Sequence, residues 1–387
     1  MSGTIFAVLG AGRQGTAAAY DLAKFGEAKR ILFGDIQEET ALASAKRIND
    51  LIGREVAVGA VLDVSDRAAL DAFLPGVDVA LSAVPYTFNL EITRACLAAG
   101  TSLCDMGGHT GVVRQQLALD PEAKKAGVSI VPDCGMGPGL NVTMAMYARE
   151  LLDEARAVHI YDGGLPQDPV PPWNYQATFH INGLTNEMDG QATFLRNGVL
   201  TAVETLTEPE MIDFPPLGEL EADVTSGGMS TSPWTLEGQL LEYTNKTLRY
   251  PGHFEWLRAF KELGLFSEDP IKVNGKHITP REVFHALLEP KIKADDVRDI
   301  CVMRVIGQGV KDSKETTVTV DLVDRYHEET GFTAMERLTG WHCAIMMGFQ
   351  ARGRVPTGGV PVEKAVPAAE FMEAVRERGI HYQIRFD

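Results

Sequence analysis

Three glycines, Gly10, Gly12 and Gly15, stand in the spacing G-x-G-x-x-G, with Arg13 and Gln14 between the last two. An apolar run, Ile5 to Leu9, precedes them, and Thr16 to Phe25 follows with helical periodicity. A second apolar run, Arg30 to Gly34, ends in Asp35, 20 residues after Gly15. Each glycine has its own reason. Gly10 permits the tight turn, Gly12 lets a pyrophosphate approach the backbone, and Gly15 lets the helix pack on the strand. The helix N-terminus then offers free N–H groups and a positive dipole end to phosphate. Asp35 would accept from the ribose hydroxyls and repel a 2′-phosphate, and positions 36 and 37 are Ile and Gln, not Arg. The expected cofactor is therefore NAD. The alternative is a related fold that has lost its cofactor.

The remaining candidates lie at strand ends and in the second half. Asp63 follows the run Val56 to Leu62 and suits an adenosine contact, or simply caps the helix Ser65 to Phe73. Ala83, Val84 and Pro85 end the run Val77 to Ala83, with Tyr86 and Asn89 directly after. Asp105 and His109 flank a Gly-Gly turn. A carboxylate and an imidazole there can move protons or hold an ammonium; the alternative for Asp105 is that it caps the turn through its backbone N–H groups. Arg249 and Thr247 sit in a polar segment, Lys246 to His253, that contains Tyr-Pro-Gly. A guanidinium there can clamp a carboxylate in bidentate fashion. Tyr175 and His180 share an expected strand, Tyr175 to Ile181, with at most one of them facing a pocket. No His, Cys, Asp or Glu spacing suggests a metal.

Positioning these groups requires two architectures. Residues 1–134 alternate strand and helix six times, which fits a doubly wound parallel sheet of the dinucleotide-binding kind. Residues 135–340 read as a mixed α+β unit for substrate and self-association, and residues 341–387 as a C-terminal segment. A helix is expected over Ala334 to Phe349 and another over Ala368 to Arg378.

The chain has 387 residues, 36 basic and 53 acidic, for a formal charge of −17. That balance argues against general nucleic-acid binding, which needs a basic face. No uninterrupted apolar stretch is long enough for a membrane span. Five widely spaced cysteines and no visible leader are the basis for expecting a reduced, cytoplasmic protein.

The chain resembles the saccharopine dehydrogenase-like oxidoreductases, and among them the L-lysine 6-dehydrogenases. The resemblance is carried by Gly10 to Gly15, Tyr86 to Asn89, Asp105 to His109, Pro132 to Gly135 with Pro138-Gly139, Gly163 to Pro166, Thr225 to Gly228 and Lys246 to His253. It implies NAD-dependent oxidative deamination of the ε-amine of lysine or a close primary amine. It also implies a C-terminal tail that returns to the nucleotide domain, a homodimer or higher homo-oligomer, and Arg249 with Thr247 on the substrate carboxylate. Trp173, Asn174 and Leu184 to Gln191 depart from the lysine enzymes. Two alternatives stand beside this one: a saccharopine or carboxynorspermidine dehydrogenase or reductase, working on a secondary amine, and a non-catalytic NAD sensor.

Overall fold

The computed structural model describes residues 3–177, 181–293 and 297–387. The first sheet contains β1 (Thr4–Leu9), β2 (Ala28–Asp35), β3 (Ala57–Val61), β4 (Val79–Ser82), β5 (Ser102–Asp105) and β6 (Ser129–Val131). These pair in parallel in the order β6-β5-β4-β1-β2-β3, with residues Gly358–Gly359 added beside β6 as a seventh strand. The reversal between β1 and β4 is the switch point at which such sheets bind ligands, beyond the carboxyl ends of their strands. Phe6 to Leu9 are all fully buried because helices cover both faces.

Helices α1 (Arg13–Phe25), α2 (Glu38–Ile52), α3 (Arg67–Phe73), α4 (Asn89–Ala99), α5 (Thr110–Leu117) and α6 (Asp120–Ala126) make the crossovers. The expected start of α3 moves by two residues. Asp66 is its cap, accepting from Ala68 N, while Asp63 closes a local turn on Ser65 N and Oγ.

After α7 (Leu140–Glu150) the chain builds a nine-stranded mixed sheet. It contains β7 (Glu154–Pro166), β8 (Gln191–Arg196), β9 (Val199–Glu204), β10 (Glu210–Phe214), β11 (Gly218–Val224) and β12 (Glu242–Arg249). A small ribbon of β13 (Ile271–Val273) and β14 (Lys276–Ile278) precedes the long hairpin of β15 (Asp299–Lys311) and β16 (Lys314–Arg325). β12 pairs β7 in parallel, setting Thr247 opposite Asp162.

Among its described residues the expected strand Tyr175 to Ile181 is not seen. Asn174 has a positive φ, Tyr175 to Ala177 are irregular, and Ile181 opens α8 (Ile181–Met188). Ile181, Leu184, Thr185 and Met188 are its buried face, a helical spacing that outweighs the aromatic content before it. His180 lies outside the described residues.

The C-terminal segment joins both sheets. Ala334–Glu336, a π-helical turn over Arg337–Trp341 and His342–Ala351 run as one helical stretch that packs against α1, β4 and β5. His342 to Gln350 are all buried, the burial of a helix covered on every side. The chain then supplies Gly358–Gly359 to the first sheet, whereas its last strand, Tyr382–Phe386, pairs β16 of the second. The tail therefore returns to the nucleotide domain and also crosses back. Among the described residues no helix is long and apolar enough to cross a membrane.

Candidate active site

The glycine turn forms the first wall. Gly10 has φ +101°, and a Cβ there would lie 2.6 Å from Ala83 O. A Cβ on Gly15 would lie 2.2 Å from Gly10 O and 2.9 Å from Val8 Cγ1, so α1 seats on the turn only with hydrogen at that position. At Gly12 the same test meets open space. Gly12 is also the N-cap of α1, with no side-chain cap over the first turn. An exposed glycine before an uncapped helix N-terminus fits a pyrophosphate.

Gly15→Ala is expected to cost about 2 kcal/mol of stability, the range for overpacking a tight contact. Urea denaturation midpoints would check this; an unchanged midpoint would mean the turn relaxes freely.

Asp35 ends β2 with its carboxylate turned to the glycine loop: Oδ2 accepts from Ala11 N (2.9 Å) and Oδ1 from Gln37 N (2.9 Å). Ala83 and Val84 form the opposite lip, beside Gly10, and Pro85 follows them. Gln14 carries a buried Oε1 without a partner. Arg13 Nε donates to the buried Glu336 Oε1 (2.5 Å), so its side chain ties α1 to the C-terminal helix. The contribution of Arg13 to a phosphate is thereby limited to its backbone. Asp63 is half-buried at the end of β3, next to β2 in the sheet, with one oxygen engaged by Ser65.

Beyond β5 Asp105 makes the turn-capping contacts, one of its two expected roles. Its carboxyl is fully buried; Oδ1 accepts from Gly107 N (2.8 Å) and Asp133 N (3.1 Å), and Oδ2 from Gln116 Nε2 (2.7 Å). These contacts are the capping alternative, and they shape the Gly107-Gly108 loop. Burial pushes the Asp105 carboxyl up against these hydrogen bonds. His109 is exposed on that loop. It is the N-cap of α5, with Nδ1 accepting from Val112 N (3.4 Å), and its ring stacks on Tyr86 at 5.3 Å and 17°. Asn89 is likewise buried and accepts from Ser82 Oγ (2.7 Å), holding the β4 end to α4.

Asp133 was not singled out in the sequence beyond its place at a strand end. It is 2% exposed, has φ +59°, and its Oδ1 finds no hydrogen-bond partner. A non-glycine residue in that conformation is strained, and such strain concentrates at functional sites. Burial, with the Asp105 carboxylate adding to it, pushes its carboxyl up to about 7, against a hydrogen bond from Ser230.

The second sheet supplies the facing wall. Asn245, Thr247 and Arg249 alternate along β12 and so share a face. Asp162 accepts from Asn245 Nδ2 (2.7 Å) and Asn141 Nδ2 (3.2 Å), and burial pushes its carboxyl up to about 6. Thr247 and Thr225 bond through their hydroxyls at 2.7 Å. Arg249 is 3% exposed, its guanidinium 5.3 Å from the centre of the buried Tyr175 ring and 3.4 Å from Glu187 on α8. Desolvation holds the Glu187 carboxyl above the ordinary range despite that cation.

A cavity of about 170 Å³ opens on the second sheet where the loop after β5 meets it. Thr110, next to His109, lines it from the nucleotide domain; Thr225, Gly228, Ser230 and Asn245 line it from the other. Arg114 lies 3.8 Å over the Trp234 ring at its edge, bridging the domains. The five cysteines are free and buried, and burial pushes the thiols up, which opposes nucleophilic use. Among the described residues no group of His, Cys, Asp and Glu could hold a metal.

Two family models match in tandem. Residues 6–131 match the saccharopine dehydrogenase NADP binding domain, and residues 135–380 the saccharopine dehydrogenase C-terminal domain. The chain belongs to the saccharopine dehydrogenase family. Within that family it is 24% identical over 245 residues to saccharopine dehydrogenase [NADP(+), L-glutamate-forming] of Saccharomyces cerevisiae, covering 59% of this chain and 53% of that one. The Schizosaccharomyces pombe enzyme of the same name is 23% identical over 375 residues, 77% of this chain and 82% of that one. Carboxynorspermidine synthase of Vibrio cholerae is 23% identical over 258 residues, 63% and 61%. The match to the first of these relatives thus spans about half of its length. In fold, the chain superposes on the apo saccharopine dehydrogenase of S. cerevisiae with TM-score 0.79 at 20% identity, covering all of both chains. It superposes on a homospermidine synthase of Legionella pneumophila, solved with NAD, with TM-score 0.68 at 11% identity, covering 99% and 91%.

Proposed function

We propose that this family member is an NAD-dependent dehydrogenase that oxidises the C–N bond of a carboxylate-bearing primary amine, with L-lysine as the leading substrate and ammonia as a product. One observation carries the reading. A cavity lined by Thr110, next to His109, and by Thr225, Ser230 and Asn245 brings the nucleotide domain against the β12 face that also carries Thr247 and the buried Arg249.

The residues of the cradle fit a dinucleotide. Gly10, Gly12 and Gly15 with the N-terminus of α1 would hold its pyrophosphate, Asp35 its adenosine ribose, and Ala83 to Pro85 the nicotinamide end. When bound, that cofactor supplies the hydride acceptor. The chain's own residues do the rest. Arg249 orients the substrate through its carboxylate, so that the amine end lies toward the nucleotide domain. Tyr86 and His109 form a stacked wall over the reacting end. Asp133, through the Ser230 hydroxyl, takes the proton that the ammonium must lose before hydride leaves its carbon. A water then adds to the resulting iminium carbon. The C–N bond breaks as ammonia leaves with a proton returned from Asp133, and the aldehyde forms. Thr247, held by Thr225, fixes the second sheet's hydroxyls toward the cavity.

The choice of NAD rests on Asp35. Replacing it in Asp35→Asn with Ile36→Arg keeps an acceptor for Ala11 N but removes the charge. NADP use relative to NAD is expected to rise roughly 100-fold, about two charge-assisted hydrogen bonds. Ratios of kcat/KM with the two dinucleotides test this, and no shift would mean that Asp35 does not face the ribose.

A second reading is favoured by the names of the relatives: a secondary amine such as saccharopine, cleaved or formed with NADP. Turnover confined to secondary amines would decide for it.

A further inference from the structure

Arg249 packs on Tyr175 at one end of a cluster of buried polar groups whose hydrogen bonding is incomplete. Its Nη1 donates to Leu248 O (2.9 Å), but its Nε has no partner. The Tyr175 hydroxyl, Trp256 Nε1 and both ring nitrogens of His253 are buried and make no hydrogen bond of normal geometry. These groups are contiguous: the His253 ring lies 4.9 Å from Tyr175 and 4.7 Å from Trp256. Buried polar groups left unpaired each carry a desolvation penalty of about 1–3 kcal/mol, and the N–H groups of Arg249 Nε and Trp256 Nε1 with the Tyr175 O–H leave this cluster short of acceptors.

The nearby carboxylates differ in how far they are committed. Asp162 already accepts from two asparagines. Glu187 makes one contact to Arg249, at 3.4 Å, longer than a settled N–H···O bond. A committed pair in the same protein looks different: Arg304 meets Asp321 through two bonds, 2.7 and 2.9 Å. The Glu187 side chain also keeps 31% of its surface exposed, a route outward.

Helix α8 does not depend on that contact. Ser226 holds it by two hydrogen bonds to the backbone oxygens of Glu187 and Asn186, 2.8 and 2.6 Å. Arg281 adds Asn186 Oδ1 and Asp189 Oδ2, 3.1 and 2.8 Å. Ile181, Leu184 and Met188 anchor it among Phe254, Leu257 and Phe284. The carboxylate can therefore swing away while the helix stays.

We infer that Arg249, Tyr175, His253 and Trp256 form a carboxylate subsite, and that Glu187 is its internal occupant, displaced when a carboxylate ligand enters. This rests on the reading of Arg249 as the substrate-carboxylate anchor. Glu187 then sets the apparent affinity, because the fraction of molecules with the guanidinium free multiplies the binding constant.

The probe is glutarate, a carboxylate ligand with no amine, titrated by calorimetry into the protein with NADH present. Glu187→Gln should bind glutarate about fivefold tighter than the natural chain, and Arg249→Ala should not bind it. Trp256→Phe, which removes one donor and keeps the packing, should weaken binding severalfold in the Glu187→Gln background. Equal affinity for Glu187→Gln and the natural chain would overturn the inference, leaving Glu187 a plain structural pair. Weaker binding to Glu187→Gln would overturn it too, making Glu187 a direct ligand. Binding that persists in Arg249→Ala would instead overturn the underlying anchor.

Discussion

Arg249→Ala is expected to raise KM for a carboxylate-bearing amine about 100-fold while the dissociation constant of the dinucleotide stays unchanged. The guanidinium is almost wholly buried, with one face on Tyr175 and an unpaired Nε. Hydrogen bonds to charged groups contribute about 1.5–3 kcal/mol, and 100-fold corresponds to about 2.7 kcal/mol. Removing the arginine also leaves Glu187 and Asp162 without their neighbouring cation, so the alanine variant loses stability as well. Arg249→Lys separates the two effects. It keeps the charge but not the planar fork, and should raise KM roughly tenfold in a folded protein. Steady-state kinetics with a carboxylate-free amine as control would check the assignment. A KM unchanged in both variants would sink it.

Asp133→Asn is expected to lower kcat by about 10²–10³-fold, the usual contribution of a positioned proton-transfer group. The pH–rate profile should also lose the limb near 7 at which this buried carboxyl ionises. Stability should move the other way. An unfolded aspartate ionises near 3.8, whereas Asp133 in the fold does so at about 7. The folded chain therefore keeps a proton that the unfolded chain has released. The stabilising contribution of this site is fully present below the unfolded value and is lost as pH rises through 7. Asp133→Asn does not ionise, so its stability relative to the natural chain should increase between pH 5 and pH 8.5. Denaturation midpoints at those two values, with the rate profile, test both halves. A variant with full activity, or with no gain at pH 8.5, would remove Asp133 from the chemistry.

The nucleotide half was legible because its signals are local. The Gly10–Gly15 turn, the apolar run before it and the acid at Asp35 lie within one strand–helix–strand unit, and the structure places all of them at one turn. The tail's return to that domain was expected from resemblance. Its further crossing to β16 was not, because Tyr382–Phe386 has too few residues to declare its partner. The second half was harder to read, since its polar groups meet only through sheet register. Thr247 faces Asp162 across β12 and β7, 85 residues apart, and no pattern along the chain announces that. Tyr175 read as a strand residue, yet it is an irregular position packed on Arg249 and His253. Asp105 and Asn89 looked accessible as polar residues at strand ends and are buried hydrogen-bond hubs. Conversely, Asp133 gave no signal beyond its place before Cys134-Gly135, because its strained φ and unpaired oxygen exist only in three dimensions. Glu187 was hidden for the same reason, because its contact with Arg249 spans 62 residues of chain.

The most direct test of the central claim is dinucleotide reduction by the purified chain with NAD⁺ and L-lysine at mildly alkaline pH, with saccharopine and simple diamines in parallel and ammonia assayed in the same samples. The account predicts NADH from lysine with ammonia released in equal amount, and little NADH from diamines that lack a carboxylate for Arg249. A protein that binds NAD⁺ yet reduces none of it with any carboxylate-bearing primary or secondary amine would contradict the assignment of this site as a dehydrogenase of C–N bonds.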